Sequence, residues 1–177
     1  SRKELKDIWS EENKYKIWLS VEVAAAEAME KYKIIPKGVA SIVKKKGKIK
    51  VKRIHDIEAK VKHDVIAFLT SITEQAGIKA RYLHQGMTSS DVLDTTLNIQ
   101  LVQSGKILLT DIDKILSVLK KQAKKYKMTP CIGRSHGIHA EPITFGLKLA
   151  SFYAEFKRNK ERLKNSIDNI STCAISG

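Results

Sequence analysis

One long stretch without helix breakers constrains this chain more than any other feature. From Val92 to Tyr126 it contains no proline and only one glycine, Gly105. A continuous helix here would be about 50 Å long, since each residue adds about 1.5 Å. Such a helix indicates a bundle or a coiled coil rather than a compact globule. Its wide apolar stripe predicts several neighbouring helices and therefore oligomerisation; the stripe includes Leu97, Leu101, Leu108, Ile112, Ile115 and Leu119.

The rest of the chain is also helical in pattern. The segment from Ser1 to Glu4 has the form of a capping box, and Ser10 is placed to cap a second helix. Apolar residues recur at helical spacing from Ile54 to Ile72, which predicts one helix ending near Gly77. Another long helix is predicted from Pro142 to about residue 171. We therefore predict an all-α fold.

The charge of the chain is strongly positive. Its 177 residues carry a formal net charge of +14, which suits nucleic acid, an acidic membrane surface or a small anionic ligand. Lysines supply most of this charge, without the arginines and interleaved aromatics typical of nucleic-acid readers. We read the lysines as a solvated surface and expect neither nucleic acid nor membrane as a partner.

The sequence has no feature of a secreted or membrane protein. No apolar run approaches the length of a membrane span, and the N-terminus has no signal-peptide pattern. The two cysteines, Cys131 and Cys173, show no metal or redox spacing, which is typical of a reducing compartment. We expect a cytoplasmic protein.

Two histidines lie close together in the run GRSHGIHAEPITFGLK, residues 133–148. His136 and His139 are flanked by glycines and precede Pro142, which suits the first turn of a helix. This pattern predicts an ordered loop that leads into a helix and places side chains for a function. A zinc site fits poorly, because two histidines supply only two ligands. Ordinary loop histidines bonded to the backbone are the simpler alternative.

A second run, KHDV, holds another histidine within the helix predicted from Ile54. His63 lies two residues beyond Val61 and therefore about 200° around the helix axis, away from the apolar stripe. The neighbouring Asp64 favours a charged or oriented imidazole. On its own this pattern is typical of an exposed helical histidine.

A third run, HQGMTSSDVLDT, carries hydroxyls and a carboxylate directly before the long helix. The helix start presents unpaired N–H groups and the positive end of its dipole, which can seat a carboxylate or phosphate. In the alternative, Ser89 or Ser90 is only an N-cap and Asp91 lies in the first turn.

In this order, with the long helix between the second and third, the three runs closely resemble the adenylosuccinate lyase family of the fumarase/aspartase superfamily. The opening SRKELKDIWSEENKYKIWLSVE resembles the same family, so the likeness covers essentially the whole chain. It implies an N-terminal helical domain over residues 1–90 and the start of a central long-helix bundle over 91–177. It also implies a homotetramer whose active sites combine residues of three subunits.

The resemblance implies a β-elimination that releases fumarate and needs no cofactor or metal. The implied substrates are adenylosuccinate, which gives AMP, and the succinyl-aminoimidazole-carboxamide ribotide of purine biosynthesis. Each is an anionic purine-nucleotide or precursor with a phosphate and two carboxylates.

The family's functional residues fall on the three runs. By resemblance, His136 is the general acid that protonates the departing nitrogen, a role worth about 10²–10⁴-fold in rate. His63 assists it or binds substrate, and Thr88 and Ser89 bind a carboxylate. The resemblance gives His139 no catalytic role. The other implied substrate contacts are Lys62, Asp64, His84, Ser90 and Asp91.

Parts of the family pattern do not occur in this sequence. They are a glycine- and serine-rich loop with the catalytic base serine, a glutamine-bearing segment and an Arg-Tyr pair for the phosphate. The resemblance therefore implies the N-terminal part of such an enzyme, which we expect to be inactive by itself. The alternatives are another lyase of the superfamily, a basic helical nucleic-acid-binding module and a purely structural helical oligomer.

Overall fold

The computed structural model describes residues 2–177. The chain up to Leu101 together with Ser171–Gly177 forms one compact unit, and Val102–Ile170 forms another. Seven α-helices and one two-stranded sheet make up most of the regular structure of the described residues, which confirms the predicted all-α class with one small exception. The predicted domain boundary at residue 90 stays a prediction. Across residues 2–177 we find no helical segment with the length and apolar character of a membrane span.

Short helices and the first part of the long helix form the first unit. They are α1 (Lys3–Ile8), α2 (Glu11–Lys31), α3 (Val39–Lys46), α4 (Val51–Val61), α5 (Asp64–Ala76), a 3₁₀ helix (Ile78–Tyr82) and the start of α6 (Ser89–Lys125). The long helix predicted over 92–126 is confirmed as α6. Ser10 caps α2 as predicted, since its side chain accepts the Asn13 N–H at 3.2 Å. The capping role predicted for Ser1 lies outside the described residues.

Three buried aromatic rings hold α2 and α5 together. Tyr15 meets Trp18 edge-on at 5.1 Å between ring centroids, and Trp18 meets Phe68 at 5.4 Å. All three rings are almost fully buried. Burying a large apolar side chain contributes about 1.5–3 kcal/mol, and aromatic pairs at this spacing add about 0.5–1.5 kcal/mol. This cluster fixes the position of α5, whose first residues belong to the KHDV run.

The single helix predicted from Ile54 to Gly77 is wrong, because the structure has two. Lys62 takes a left-handed conformation (φ 57°) that ends α4, and His63 becomes the extended N-cap of α5. The apolar spacing continues across the break because both helices bury residues in the same core, including Ile57 and Val65. Val61, which we placed on the apolar stripe, is largely exposed. His63 is therefore a cap rather than a residue of a helix interior.

The second unit contains the rest of α6, a hairpin and α7 (Phe145–Ile170). Strands β1 (Pro130–Ser135) and β2 (Ile138–Thr144) pair antiparallel. The predicted helix start at Pro142 is wrong, because Pro142 lies in β2 opposite Ile132 and the helix begins at Phe145. Proline is tolerated in a strand with no neighbour on one side, since its missing N–H breaks no ladder bond there.

Candidate active site

The KHDV run lies at the junction of α4 and α5. The ring nitrogen Nδ1 of His63 accepts the Ile66 N–H at 3.4 Å, and Oδ1 of Asp64 accepts the Val65 N–H at 2.7 Å. Amides that would otherwise be unpaired at the helix start therefore orient both side chains. Both side chains remain accessible to a ligand, with 46% and 40% of their surface exposed.

The contacts of His63 bear on which ring nitrogen carries its proton. Nδ1 also lies 3.5 Å from Asp64 Oδ1, which is an ion pair only if Nδ1 is protonated. Accepting the Ile66 N–H instead requires the Nδ1 lone pair. Since Asp64 Oδ1 already accepts a shorter bond from Val65, we assign Nδ1 the acceptor role. Neutral His63 then carries its proton on Nε2, which can donate to a ligand.

His84, the first residue of the third run, is held by a buried carboxylate. Glu22 of α2 has 1% of its surface exposed. Its Oε2 accepts the His84 N–H at 2.8 Å, and its Oε1 lies 2.6 Å from His84 Nδ1. Burial raises the pKa of the Glu22 carboxyl, and the bonds and charge of His84 oppose that rise. His84 keeps 17% of its side chain exposed.

Sequence reasoning did not identify Glu22. A signal was present, because Glu22 follows Trp18 by four residues and precedes Ala25 by three. That spacing places its carboxylate on the buried stripe of α2. A charged residue on such a stripe needs a partner, since an unpaired buried charge is strongly unfavourable. The partner lies 62 residues further along the chain, which periodicity cannot show.

Asp91 organises the start of α6. Its Oδ2 accepts the Thr88 N–H at 2.9 Å, and its Oδ1 accepts the N–H and hydroxyl of Ser176 at 2.9 and 3.1 Å. The Gly177 N–H adds a fourth bond, at 3.3 Å to Oδ2. The bond from Thr88 and those from Ser176 and Gly177 lower the pKa of this carboxyl, against the opposing effect of burial. Asp91 is therefore an ionised, fully buried anchor for the loop before it.

Three hydroxyl groups of this run, those of Thr88, Ser89 and Ser90, are available to a ligand. The helix α6 begins at Ser89, so the residue before it is Thr88 rather than Ser89 or Ser90, while Asp91 lies in the first turn as the alternative predicted. Among the described residues, the hydroxyls of Thr88, Ser89 and Ser90 donate no hydrogen bond. Together with the first amides of α6 they form a cluster of donors at the positive end of the helix dipole.

His136 lies at the tip of the hairpin in the second unit. Ser135 and Ile138 pair across a two-residue turn, whose central residues His136 and Gly137 have φ of 52° and 78°. Positive φ at both central residues matches the twist of antiparallel strands, and glycine adopts it without strain. The turn leaves the His136 imidazole exposed to solvent.

A β-bulge interrupts the pairing of the two strands near this tip. The register shifts between Ile132 and Arg134, at Gly133. A Cβ on Gly133 would lie 2.6 Å from the carbonyl oxygen of Glu141, so only glycine fits. Bulges of this kind occur next to active sites, where they direct side chains.

Several of the predicted site residues have a left-handed backbone conformation. Four non-glycine residues in the range 2–177 have positive φ, and three of them belong to the runs singled out from the sequence: Lys62, His84 and His136. The fourth is Lys33. Such a conformation costs about 1–3 kcal/mol in a residue with a side chain, and it clusters at functional sites.

A cleft of about 590 Å³ opens beside the hairpin within the second unit. Its lining contains two cationic side chains, Arg134 and Lys148, and no acidic residue. These groups suit an anionic ligand. Over residues 2–177, no three histidine, cysteine or acidic side chains lie close enough together to hold a metal ion.

The structure joins some of the predicted residues directly and leaves others apart. Lys62, His63 and Asp64 form one turn, and Thr88 is bonded to Asp91. Within the first unit, as far as it is described, no hydrogen bond or ion pair joins the KHDV run to residues 84–91. His136 and His139 belong to the second unit.

This helical architecture, with shorter helices followed by a very long one, is shared by solved structures of a fumarate lyase and a lactonizing enzyme. A fumarate lyase from Mesorhizobium sp. BNC1 matches with a TM-score of 0.92 at 26% identity, over 98% of this chain and 42% of that one. A 3-carboxy-cis,cis-muconate lactonizing enzyme from Pseudomonas putida matches with a TM-score of 0.89 at 25% identity, over 98% and 41% of the two chains. The class defined by the fold is that of the helical lyases.

Sequence comparison gives the family. A family model described as lyase matches residues 1–177, and the chain belongs to that family. The adenylosuccinate lyase of Thermotoga maritima is 47% identical over 98% of this chain and 40% of its own length. That of Bacillus subtilis is 42% identical over 100% of this chain and 41% of its own length. The resemblance to adenylosuccinate lyases is thus confirmed, and the chain spans about two-fifths of the length of these relatives.

Proposed function

We propose that the protein carrying this sequence is an adenylosuccinate lyase. The observation that carries the proposal is the 47% identity to the Thermotoga maritima adenylosuccinate lyase over 98% of this chain. The proposed substrates are adenylosuccinate and the succinyl-aminoimidazole-carboxamide ribotide. In each case a base removes a proton next to a carboxylate, and the carbon–nitrogen bond breaks with its electron pair going to nitrogen. The products are fumarate and AMP or the free carboxamide ribotide.

His136 is the proposed general acid for the departing nitrogen. Its exposed position at a hairpin tip leaves the imidazole open to a substrate, and imidazole can donate a proton near neutral pH. His63 assists the proton transfer or binds substrate, with Lys62 and Asp64 beside it at the α4–α5 junction. The exposure of this junction supports the assignment.

Donors at the start of α6 are proposed to bind a substrate carboxylate. Thr88 and Ser89 supply hydroxyls that have no partner in the described part of the chain, and Ser90 is a further contact. Charge grows on this carboxylate as the proton leaves, and preorganised donors stabilise such charge. Asp91 does not contact the substrate itself, because protein donors already bond both of its oxygens. Its proposed role is to hold the substrate-binding loop in position.

We propose a homotetramer for the working enzyme, with each active site shared between subunits. Large apolar side chains of α6 and α7 are exposed in the second unit, which supports association through these helices; they include Leu108, Ile115, Val118, Leu147 and Phe152. Exposed apolar groups in such number are typical of an interface.

Turnover of three substrates tests the reaction. We expect full-length protein carrying this sequence to cleave adenylosuccinate, followed by the change in purine absorbance, and to leave argininosuccinate and aspartate unchanged. Cleavage of either of those two instead of adenylosuccinate would reject the proposed substrate class.

Replacing His136 tests the proposed acid. His136→Gln in the full-length protein should lower kcat by at least about 10² because the proton donor is lost. His139→Gln is the matched control, since this histidine lies three residues away on the same hairpin and has no proposed role. Near-normal turnover of the His136 variant, or an equal loss in the control, would show that the acid is misassigned.

A further inference from the structure

We propose that Glu22 is a positioning residue that keeps a proton on Nδ1 of His84, so that Nε2, when it is protonated as well, donates to an anionic group of the substrate. The assignment of the tautomer depends only on contacts within the first unit. The identity of the ligand rests on the proposed function.

Glu22 directs both of its oxygens to one residue. Oε2 accepts the backbone N–H of His84 at 2.8 Å, and Oε1 contacts its Nδ1 at 2.6 Å. The carboxylate side chain has no exposed surface, so these bonds replace the water it would otherwise hold. His84 also has positive φ (62°), a conformation that a two-point contact can hold in place.

The proton between Oε1 and Nδ1 belongs to the ring. The backbone N–H is always a donor, so Oε2 must accept, and either Oε1 or Nδ1 carries the shared proton. Imidazoles are ordinarily more basic than carboxylates by about two pKa units. Burial acts in the other direction on Glu22, and the bonds from His84 oppose it. Burial is the larger effect, so the assignment rests on the geometry: Oε2 accepts the backbone N–H, which favours the carboxylate form, and Oε1 then accepts the Nδ1–H in a charge-assisted bond.

With Nδ1 occupied, the other ring nitrogen is the one that can meet a ligand. Nε2 has no hydrogen-bond partner among the residues that the structure describes, and 17% of the side chain is exposed. His84 lies four residues before Thr88, in the same loop. When Nε2 binds a proton, the imidazolium and Glu22 carry no net charge together, and Nε2–H can donate to an anion.

Ring-nitrogen spectroscopy tests the tautomer directly. We expect solid-state ¹⁵N NMR of the full-length protein, with ¹⁵N-labelled histidine, to show Nδ1 protonated and Nε2 unprotonated for neutral His84. The signal is assigned by its loss in His84→Gln. An unprotonated Nδ1 would mean that Glu22 donates the proton, and it would overturn the proposal without any Glu22 variant being needed.

Glu22→Gln tests the positioning role. The amide has one acceptor and one donor, so its oxygen should take the backbone N–H and its nitrogen should donate to Nδ1, which moves the ring proton to Nε2. We expect KM for adenylosuccinate to rise about 10-fold with kcat within about 3-fold. The imidazolium loses its carboxylate partner, and a neutral Nε2–H bonds an anion more weakly than a charged one. Glu27→Gln is the matched control, since Glu27 lies on the same helix and is exposed.

A double-mutant cycle separates action through His84 from a general loss of structure. If Glu22 acts through His84, then Glu22→Gln should change KM by less than about 2-fold in the His84→Gln background. Independent effects, or an unchanged tautomer in Glu22→Gln, would overturn the proposal. Failure of the protein to cleave adenylosuccinate would instead reject the proposed function, and the NMR result would still decide the tautomer.

Discussion

The buried carboxylate of Asp91 connects two segments of the first unit that are far apart in sequence. It bonds the backbone of Thr88, three residues earlier, and those of Ser176 and Gly177, more than 80 residues later. Its place in the first turn of α6 also puts a negative charge at the positive end of the helix dipole. One side chain therefore keeps the proposed carboxylate-binding loop in place.

The stability that Asp91 contributes should depend on pH. Because its folded-state pKa is lowered, chiefly by the Thr88 bond, the contribution is present above the unfolded pKa of about 4 and is lost as pH falls through the folded value. We expect Asp91→Asn to lower the denaturation midpoint at pH 7 and to approach the parent protein as pH falls towards 3. Urea denaturation from pH 7 to pH 3 measures this.

Asp94→Asn is the control for this prediction. Asp94 lies on the same helix three residues later and is exposed. We expect a much smaller change in midpoint at pH 7 than for Asp91→Asn. An Asp91 variant whose deficit stays constant from pH 7 to pH 3 would show that the carboxylate charge is not the source of the stability.

At the scale of elements, the start of α7 docks closely against the end of α6. The Gly146 N–H donates to the Tyr126 carbonyl at 2.9 Å, and the rings of Tyr126 and Phe145 meet at 5.5 Å. A Cβ on Gly146 would lie 2.5 Å from the Ala123 oxygen and the Lys127 Cα. These are backbone atoms, so the helices would have to separate to admit a methyl group. This contact anchors the hairpin that carries His136.

Gly146→Ala should therefore destabilise the protein, by about 1–3 kcal/mol or more, as overpacking does. Gly105→Ala is the matched comparison, because a Cβ there meets only side-chain atoms of Ile167, at 2.7 Å. That side chain can shift, and alanine gains about 0.8–1 kcal/mol in helix propensity over glycine. Urea denaturation of both variants should show the larger loss for Gly146→Ala. An equal or smaller loss for Gly146→Ala would mean that the backbone around Ala123 and Lys127 can move to admit the methyl group.

At the scale of the whole molecule, the proposed assembly depends on apolar side chains that are exposed to solvent in a single chain. Val118 on α6 has 58% of its surface exposed and Leu147 on α7 has 60%. Burying such groups in an interface stabilises the assembly by about 25 cal/mol for each Å² of apolar surface removed from water. Association of several copies of the chain through these helices would bury these side chains.

Val118→Asp should weaken that association, because a carboxylate buried at an apolar contact loses its hydration without gaining a partner. We expect the full-length variant to sediment as smaller species at concentrations where the parent protein is assembled. Lys114→Gln is the control, since Lys114 lies one turn earlier on α6 and is also exposed. An unchanged sedimentation coefficient for Val118→Asp would exclude this part of α6 from the interface.

Much of the fold follows from local pattern, and so does the identity of the candidate residues. Helical spacing and the absence of proline were enough to predict α6, and the hydroxyl of Ser10 was enough to predict the start of α2. Three short runs in the right order indicated the family that comparison then confirmed. In each case the information lies in residues that are neighbours in sequence.

The errors arose where distant contacts override local preference. Apolar spacing could not show the break at Lys62, because two helices that bury residues in one core repeat the pattern of a single helix. Pro142 pairs with Ile132 in a strand, since strand pairing rather than the usual preference of proline for a first helical turn determined its conformation.

The sequence alone thus determined which residues are candidates for a functional role and that the fold would be built from long helices. Only the tertiary structure decided how they are oriented: His63 as a helix cap, His136 at a hairpin tip, and His84 against a buried Glu22. The physical reason is that hydrogen bonds to buried charges, and left-handed backbone held against its strain, depend on groups that meet only when the chain folds.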